Sequence, residues 1–460
     1  MKFYPTVGLE VHVELGTRSK MFCSCPVGEW DEPNVAVCPI CMGHPGTLPV
    51  PNRRAVVFAV ALGLALRGEV AQISHFYRKN YFYPDLPKGY QITQYSVPIV
   101  RNANLLGVRI ERMNLEEETA KSLHTDEGSV LLDFNRAGIP LLEIVSAPDI
   151  TSPEEARRYL TALQAVVRYL GISDAHMEKG QMRVDVNVSV SPDPERLGTK
   201  VEIKNLNSFK AVADAIRYEI ERQSRILSQG GKIIHETRMW NGKRTEPMRV
   251  KESESDYRYF PEPDIPPLRV DEGIVREAEG LLVEMPWERQ SRYEAEGIPS
   301  HMAEVIAYSP DIASAYERIK EGEPKLAADL LLNVVLGKLF KAGKDLKDYD
   351  WEGFKGLLKA YREGRFLRDY LKEAIERHIV EGVPFSRLVE EAPQVEEIDV
   401  EPFLRELIAN NPKEVEKFAK GQRGVVGFFV GQVMRRYRGK VDPRKVRETA
   451  ERLLEEATGN

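Results

Sequence analysis

The sequence predicts an α+β protein, in which an amino-terminal domain rich in β-strands is followed by an all-α carboxy-terminal half. Strand-like alternation of apolar and polar residues recurs through residues 1–285, with Pro- and Gly-rich turns between the strands. Helical periodicity with Lys- and Glu-rich faces replaces this alternation after residue 285. The 460 residues, of which 42% are hydrophobic, suffice for several cores at roughly 100–200 residues per domain.

Two helices are expected among the strands of the first half. The apolar stretch 55–66 predicts a buried helix, and it is too short to span a bilayer, which takes about 20 residues. Residues 153–170 predict the second helix, because Ser152 can cap its amino terminus and Pro153 suits the first position. No secretory signal precedes these elements, so a cytoplasmic protein is expected.

We predict three domains, at 1–285, 286–395 and 396–460. A Pro-rich strip at 260–267 leads to the first boundary, and the acidic stretch around Pro393 gives the second. The last domain is basic: residues 413–447 hold eleven Lys or Arg and three acids, within a chain of net charge -6. Such a patch suits a nucleic-acid backbone, although a solvated helical face has the same composition.

All four cysteines fall in two close pairs, Cys23 with Cys25 and Cys38 with Cys41. Disulfides are rare inside cells, and four thiolates can enclose one tetrahedral zinc ion. Such a site has no open coordination position, so the pattern predicts a structural zinc knuckle at 23–41. Four reduced thiols in a loop remain the alternative.

Several predicted strands carry polar residues on one face only. Residues 8–15 and 183–190 alternate strictly, and 201–204 repeat the pattern. The polar positions are rich in Glu, His, Asp and Asn, which are ligands for magnesium or manganese, whereas a solvated sheet face is the simpler explanation. If the strands are neighbours, one concave surface would gather Glu10, His12, Glu116, Glu143 and Asp185.

Two segments, 77–91 and 256–259, combine Lys or Arg with several aromatic residues. Loops of this kind hold phosphates and stack bases, although aromatic segments are more often part of a core. The chain contains neither a P-loop motif nor a G-x-S-x-G nucleophile elbow, which excludes those two classes of site.

Five long motifs closely resemble the B-subunit family of tRNA-dependent Asp/Glu amidotransferases. They are VGLEVHVEL (7–15), RKNYFYPD (78–85), DFNRAGIPLLEI (133–144), EIKNLNS (202–208) and DYRYFPEPD (256–264). The likeness extends from residue 8 to the 421–434 segment, which is nearly the whole chain.

The resemblance implies an enzyme subunit in a heterotrimer with an amidase-like A subunit and a small C subunit. Its substrate is misacylated Glu-tRNA(Gln) or Asp-tRNA(Asn), whose side-chain carboxylate is phosphorylated with ATP and Mg²⁺. Ammonia from the A subunit then displaces the phosphate. The fold implied is an amino-terminal cradle with a mixed β-sheet of the glutamine synthetase/guanido kinase type, followed by helical domains that hold the tRNA.

The resemblance also assigns residues to roles. Metal ligation falls on His12, Glu116 and Glu143, with Glu10 and Asp185 at a second metal position. The chain departs from the family at Asn114, where His is frequent, which leaves the choice between Glu116 and Glu117 open. ATP or the tRNA 3′ end is expected at Arg78, Lys79, Tyr81, Tyr83, Lys88, Lys204 and Asn205, and the tRNA body at Arg423, Arg435, Arg436 and Arg438.

Two other functions compete with this one. A non-catalytic zinc- and RNA-binding protein would leave the acidic strand face merely solvated and would not turn over ATP. A two-metal phosphoesterase would use the same carboxylates to cleave a phosphate ester without ATP.

Overall fold

The structure is a computed structural model that describes residues 2–250, 254–393, 398–437 and 441–458. The chain divides into two compact units, Met1–Arg289 and Gln290–Asn460. The first unit holds every strand of the described chain, and the second is helical. The predicted α+β class, with a mixed sheet followed by a helical half, is confirmed. The further division of the second unit at 395/396 stays a prediction, since this boundary lies outside the described residues.

Sixteen strands are found in the described part of the first unit. They are β1 (Tyr4–Glu14), β2 (Glu69–Val70), β3 (Ile73–Ser74), β4 (Phe76–Asn80), β5 (Tyr90–Gln94), β6 (Val100–Leu105), β7 (Val108–Glu117), β8 (Lys121–His124), β9 (Val130–Asp133), β10 (Pro140–Ser146), β11 (Met182–Ser191), β12 (Val201–Lys204), β13 (Glu236–Trp240), β14 (Thr245–Val250), β15 (Phe260–Pro261) and β16 (Leu268–Arg269).

The helices of the described residues follow the same chain order. They are α1 (Arg53–Ala65), α2 (Pro153–Tyr169), α3 (Phe209–Ser228), α4 (Glu272–Glu279), α5 (Pro286–Ala295), α6 (Ser300–Ala307), α7 (Pro310–Ile319), α8 (Pro324–Leu330), α9 (Leu336–Lys341), α10 (Trp351–Arg362), α11 (Arg368–Glu381), α12 (Phe385–Glu390), α13 (Glu401–Asn410), α14 (Pro412–Ala419), α15 (Val426–Arg436) and α16 (Pro443–Thr458). None of them combines the length and apolarity needed to cross a bilayer.

Nine strands form the main sheet, in the order β14-β13-β12-β11-β1-β10-β7-β6-β2. Only β12 and β13 run parallel; the other neighbours are antiparallel, so the sheet is mixed. Strand β1 lies near its centre between β10 and β11, to which it is joined through long connections. The polar residues of β1 therefore have neighbours on both sides.

One face of the main sheet is apolar and covered by helices. Leu9, Val11 and Val13 of β1 are at most 1% exposed. Helix α1 packs on β6 and β7, and α3 packs on β11. Helix α2 begins as predicted, because the Ser152 hydroxyl accepts the amide of Glu155. The strict alternation of β1 consequently turns Glu10, His12 and Glu14 to the opposite face.

A small sheet, β15-β4-β5, packs against the main sheet through β5 and β7. Its strands come from residues far apart in sequence, since β15 pairs with β4 at Phe260 and Arg78. This small sheet was not predicted from the sequence. It supplies a second wall next to the polar face of the main sheet.

The second unit contains two kinds of packed core. An aromatic group surrounds Tyr349, whose ring lies 4.7 Å from that of Trp351, while His378 stacks on Phe385 at 3.9 Å. Towards the carboxy terminus, α13, α15 and α16 enclose a cluster that includes Leu404 and Phe429. Within this part of the chain, a 3₁₀ turn over Arg423–Val425 leads directly into α15.

Candidate functional site

Strand register brings the predicted acidic residues onto one surface of the main sheet. On β1, Glu10 lies opposite Asp185 of β11, and His12 lies opposite Glu143 of β10. Residues directly opposite in an antiparallel ladder point to the same face. Glu143 in turn faces Asn114 of β7. Four adjacent strands thus contribute to one polar surface of the main sheet, which we call the polar floor. The sequence predicted such a surface only if these strands were neighbours.

Four of these side chains meet at short range, and we call Glu10, His12, Glu116 and Glu143 the carboxylate cluster. Ligand atoms of Glu10, His12 and Glu143 all lie within 4.8 Å of one another. His12 Nε2 is 3.5 Å from Glu116 Oε2 and 3.9 Å from Glu10 Oε1. The arrangement offers one nitrogen and several carboxylate oxygens, which is a donor set suited to a hard divalent cation.

The titration behaviour of the carboxylate cluster reflects crowded negative charge. Burial alone would lower the pKa of His12, but the hydrogen bond and charge of Glu116, with the charges of Glu10 and Glu143, raise it to about 9. Burial and the neighbouring Glu116 raise the pKa of Glu143 to about 7. The ion-free cluster therefore holds protons that a bound cation would replace.

Asn114 supports the fit of a cation at this floor. Its Nδ2 donates to Glu143 Oε2 at 2.6 Å, which orients that carboxylate. Its Oδ1 is buried and has no hydrogen-bond partner in the described chain. A buried acceptor without a donor is unfavourable, so a cation or a water that a cation holds would satisfy it. The residues present fit Mg²⁺ or Mn²⁺.

Glu116 and Glu117 are neighbours in β7 with opposite orientations. Glu116 points to His12 and accepts a hydrogen bond from the Thr93 hydroxyl at 2.5 Å. Glu117 points to the other side, where it pairs with Lys88 and accepts the amide of Ile92 at 3.0 Å. Of the two, the geometry places Glu116 in the cluster.

Asp185 and the residues after β12 form one flank of the floor. Lys204 forms an ion pair with Asp185 across the β11–β12 ladder. The charges of Asp185 and Glu202 raise the pKa of Lys204 in spite of burial, which lowers it. Asn205, for which binding of ATP or the tRNA end stays a prediction, donates through Nδ2 to the carbonyl of Trp240 at 3.0 Å. It anchors the chain after β12.

The small sheet separates two residues that were predicted to act together, because adjacent strand residues point to opposite faces. Lys79 faces the carboxylate cluster, where burial would lower its pKa but the charges of Glu116, Tyr259 and Glu143 raise it. Arg78 faces away, with Nε 2.6 Å from Glu262 Oε2.

The other predicted residues of this region divide between the same two faces. Tyr81 lies on the Lys79 side, since burial and the charge of Glu116 raise its pKa against the effect of Lys79. Lys88 lies on the Arg78 side, where both residues line a cavity of about 200 Å³ beside the cysteines. Tyr83 is 46% exposed and lies at the end of the loop.

Family models match both parts of the chain. A model described as the GatB/GatE catalytic domain matches residues 5–276, and one described as the GatB domain matches residues 314–454. The first model alone covers more than half of the chain. The chain belongs to the GatB family.

Curated GatB relatives match over the full length. A protein of Persephonella marina is 44% identical over 474 residues, which cover 99% of this chain and 100% of the relative. A protein of Thermus thermophilus is 46% identical over 469 residues, which cover 98% of each chain. Both are named as the B subunit of aspartyl/glutamyl-tRNA(Asn/Gln) amidotransferase. The family suggested by the sequence motifs is confirmed.

In this GatB chain the cysteines gather as the spacing predicts. The Sγ atoms of Cys23, Cys25, Cys38 and Cys41 lie within 4.8 Å of one another. A hydrogen bond from Cys23 and the nearby charge of Lys20 lower the pKa of Cys41 to about 4. Four sulfur atoms at this separation fit a tetrahedral zinc ion.

The basic residues at the end of the GatB chain lie on the surface of the second unit. Arg435 and Arg436 lie at the end of α15, and the Arg436 guanidinium is 4.2 Å from the Phe403 ring centroid. Arg423 forms an ion pair with Glu455 at 2.8 Å. Arg438 lies outside the described residues.

Two residues near the cluster were given no role when the sequence was read alone. Thr93 donates a hydrogen bond to Glu116, and Asn114 donates one to Glu143. Asn114 was noted only as a departure from the family. The alternation of polar residues in 90–94 gave a signal for Thr93, but nothing in the sequence indicated that β5 packs on β7.

Proposed function

We propose that this chain is the catalytic tRNA-binding subunit of a glutamine-dependent Asp/Glu-tRNA amidotransferase, an ATP-dependent carbon–nitrogen ligase. The convergence of Glu10, His12, Glu116 and Glu143 within a few ångströms, inside a GatB/GatE catalytic domain, carries the proposal. The curated relatives are named for the same activity. We place the protein in the cytoplasm, assembled with an amidase A subunit and a small C subunit.

The first chemical step makes a poor electrophile reactive. ATP transfers its γ-phosphoryl group to the side-chain carboxylate of Glu-tRNA(Gln) or Asp-tRNA(Asn), giving an acyl phosphate and ADP. His12, Glu116 and Glu143 would hold Mg²⁺, with Glu10 and Asp185 at a second position, and the bound ion would supply positive charge to neutralise the transferring group. Lys79 adds a buried positive charge beside the same carboxylates.

The second step forms the amide. Ammonia released from glutamine by the A subunit attacks the acyl carbon and displaces phosphate, which yields Gln-tRNA or Asn-tRNA. No protein nucleophile is required, so the chain needs only to position the two substrates and to exclude water from the acyl phosphate. The polar floor and the small sheet would form the two walls that do so, in a cradle of the glutamine synthetase/guanido kinase type.

Zinc has a structural role in this proposal. Four thiolates leave no open coordination position, so the ion would fix the 23–41 knuckle and take no part in the chemistry. The helical domain at 286–395 and the basic tail domain at 396–460 would hold the tRNA body.

The test is transamidation by the reconstituted trimer on both misacylated tRNAs, with and without ATP. We expect ATP-dependent formation of Gln-tRNA, Asn-tRNA or both, with release of ADP and phosphate. Failure to turn over ATP would favour the non-catalytic zinc- and RNA-binding protein. Cleavage of tRNA or of a phosphomonoester without ATP would favour the two-metal phosphoesterase.

The role of the tail is tested separately. Replacing Arg435, Arg436 and Arg438 with Ala should weaken tRNA binding and reduce its salt slope by roughly 1 for each phosphate that is no longer bound. The control is Arg405→Ala, since Arg405 is bound to Glu401 and Glu456 within the tail. Filter binding across a salt series measures both variants. A triple variant with the parental slope would refute this role.

A further inference from the structure

Six tyrosines from two distant segments form a connected series of ring contacts, which we call the tyrosine platform. Its closest contact is between Tyr95 and Tyr259, whose rings stack with centroids 4.2 Å apart and planes inclined by 4°. Edge contacts with centroid distances of 5.8 to 6.2 Å extend the series on both sides. The members are Tyr77, Tyr81, Tyr83, Tyr95, Tyr257 and Tyr259.

The tyrosine platform lies on the face of the small sheet that is turned towards the carboxylate cluster. Tyr77 pairs with Thr93 in the β4–β5 ladder, so both lie on the face that carries Lys79. Thr93 donates to Glu116, and the Lys79 ammonium lies 4.9 Å from the Tyr257 ring centroid. Positive charge, metal-ligating carboxylates and flat aromatic rings therefore share one surface.

Burial distinguishes the platform from an ordinary aromatic core. Aromatic pairs that serve only to pack a core are normally buried, as Tyr293 and Tyr316 are here. In contrast, Tyr95 is 43% exposed although it stacks on Tyr259. Because a parallel ring supports it from behind, Tyr95 is held in a fixed plane at the protein surface. A fixed, exposed ring beside a phosphate-binding group suits a planar base.

Spacing along the β5 segment agrees with the size of a nucleotide. Tyr95 directly follows β5 and lies two residues after Thr93, which corresponds to roughly 7 Å of extended chain. Thr93 touches the carboxylate cluster through Glu116. A nucleotide whose phosphates lie at the cluster and Lys79 can thus extend along the strand and lay its base on Tyr95.

We infer that the stacked pair Tyr95–Tyr259 is the binding site for an adenine base. The inference rests on the proposed function and names two sources of that base, ATP and the terminal adenosine of the aminoacylated tRNA. Stacking is tolerant of base identity, so it would give affinity, while the phosphates and the metal position the reacting atoms. Tyr259 lies in a basic-aromatic segment that the sequence singled out, whereas Tyr95 was not among the residues expected to bind ATP or the tRNA end.

The test compares Tyr95→Leu with Tyr95→Phe in the complete complex with its partner subunits. Leu removes the aromatic face, whereas Phe keeps it and removes only the hydroxyl. We expect Tyr95→Leu to raise one KM by roughly 5- to 150-fold, the range for loss of base stacking. Tyr95→Phe should stay within about twofold of the parent. If the KM for ATP rises, the stacked pair binds the adenine of ATP. If the KM for misacylated tRNA rises, it binds the terminal adenosine of the tRNA.

Three results would overturn the inference: unchanged KM values in Tyr95→Leu, an equal loss in the Leu and Phe variants, or a rise of both KM values by the same factor. Inorganic tripolyphosphate, which has no base, should inhibit the parent and Tyr95→Leu equally, and weaker inhibition of the variant would also contradict it. Failure of the proposed function is distinguishable, because the parental complex would then form no amide with ATP.

Discussion

The carboxylate cluster and the cysteine cluster lie in the same unit, but the chain builds them in different ways. The cysteines come from one loop of 19 residues, whereas the carboxylate cluster and Asp185 are drawn from four strands between residues 10 and 185. The cysteine cluster is therefore a local structure that depends on thiol spacing. The carboxylate cluster exists only when the whole sheet is in register. The difference predicts separate consequences when each is disturbed.

The largest effect is expected where the carboxylate cluster supports chemistry. Glu143→Ala or Asp185→Ala should reduce amide formation by at least about 100-fold, since loss of a metal's outer partners alone typically costs 10–100-fold. Binding of tRNA should persist, because we propose that the tRNA backbone is held by the basic tail domain. Transamidation and filter binding of each variant in the trimer measure the two properties. Full activity in both variants would refute the metal assignment.

Glu116 and Glu117, which are neighbours in β7, allow a residue inside the carboxylate cluster to be compared with one outside it. Glu116→Gln should weaken Mn²⁺ binding by about 10- to 100-fold, because Glu116 belongs to the carboxylate cluster. Glu117→Gln should leave Mn²⁺ affinity within about twofold, because its side chain points to Lys88. Titration with Mn²⁺ followed by electron paramagnetic resonance gives both affinities. Equal losses would show that the strand's orientation is misassigned.

The affinity of the carboxylate cluster for a divalent cation should increase with pH. Since the pKa of His12 is about 9 and that of Glu143 about 7 in the ion-free cluster, a cation must displace their protons at neutral pH. Mn²⁺ affinity should rise with pH by up to about tenfold per unit between pH 7 and 9, where one proton is displaced, and should fall below pH 7. Titrations at several pH values measure this slope, and a flat profile would contradict the protonated cluster.

The smallest effect on activity is expected from the cysteines. Cys25→Ser with Cys41→Ser should abolish zinc binding and lower the Tm of the protein by about 5–10 °C, while most amidation survives at moderate temperature. Metal analysis, thermal unfolding and transamidation follow the three properties. Abolished activity in a protein with parental Tm would show that zinc acts in the chemistry after all.

Residues close together in sequence were the easier part to predict. Alternation placed Glu10 and His12 on one face, and the cysteine spacing anticipated their cluster. The order of strands could not be obtained in this way, since β1 pairs with β10 and β11 through connections of more than a hundred residues. Recognition of the family motifs supplied what periodicity lacked.

The small sheet shows what composition alone leaves open. Arg78 and Lys79 were grouped because both are basic and adjacent, whereas the strand turns them to opposite faces. Composition shows which side chains suit a site, but it does not show the face of the strand to which each one points. That orientation decides which side chains come together.

The pairing of β15 with β4 has a consequence for biosynthesis. Residues 76–80 leave the ribosome long before Phe260 and Pro261, with which they pair. Until then the small sheet of the newly made polypeptide lacks its third strand, although β4 and β5 can already pair. A half-translated chain is therefore unable to complete the small sheet beside the polar floor.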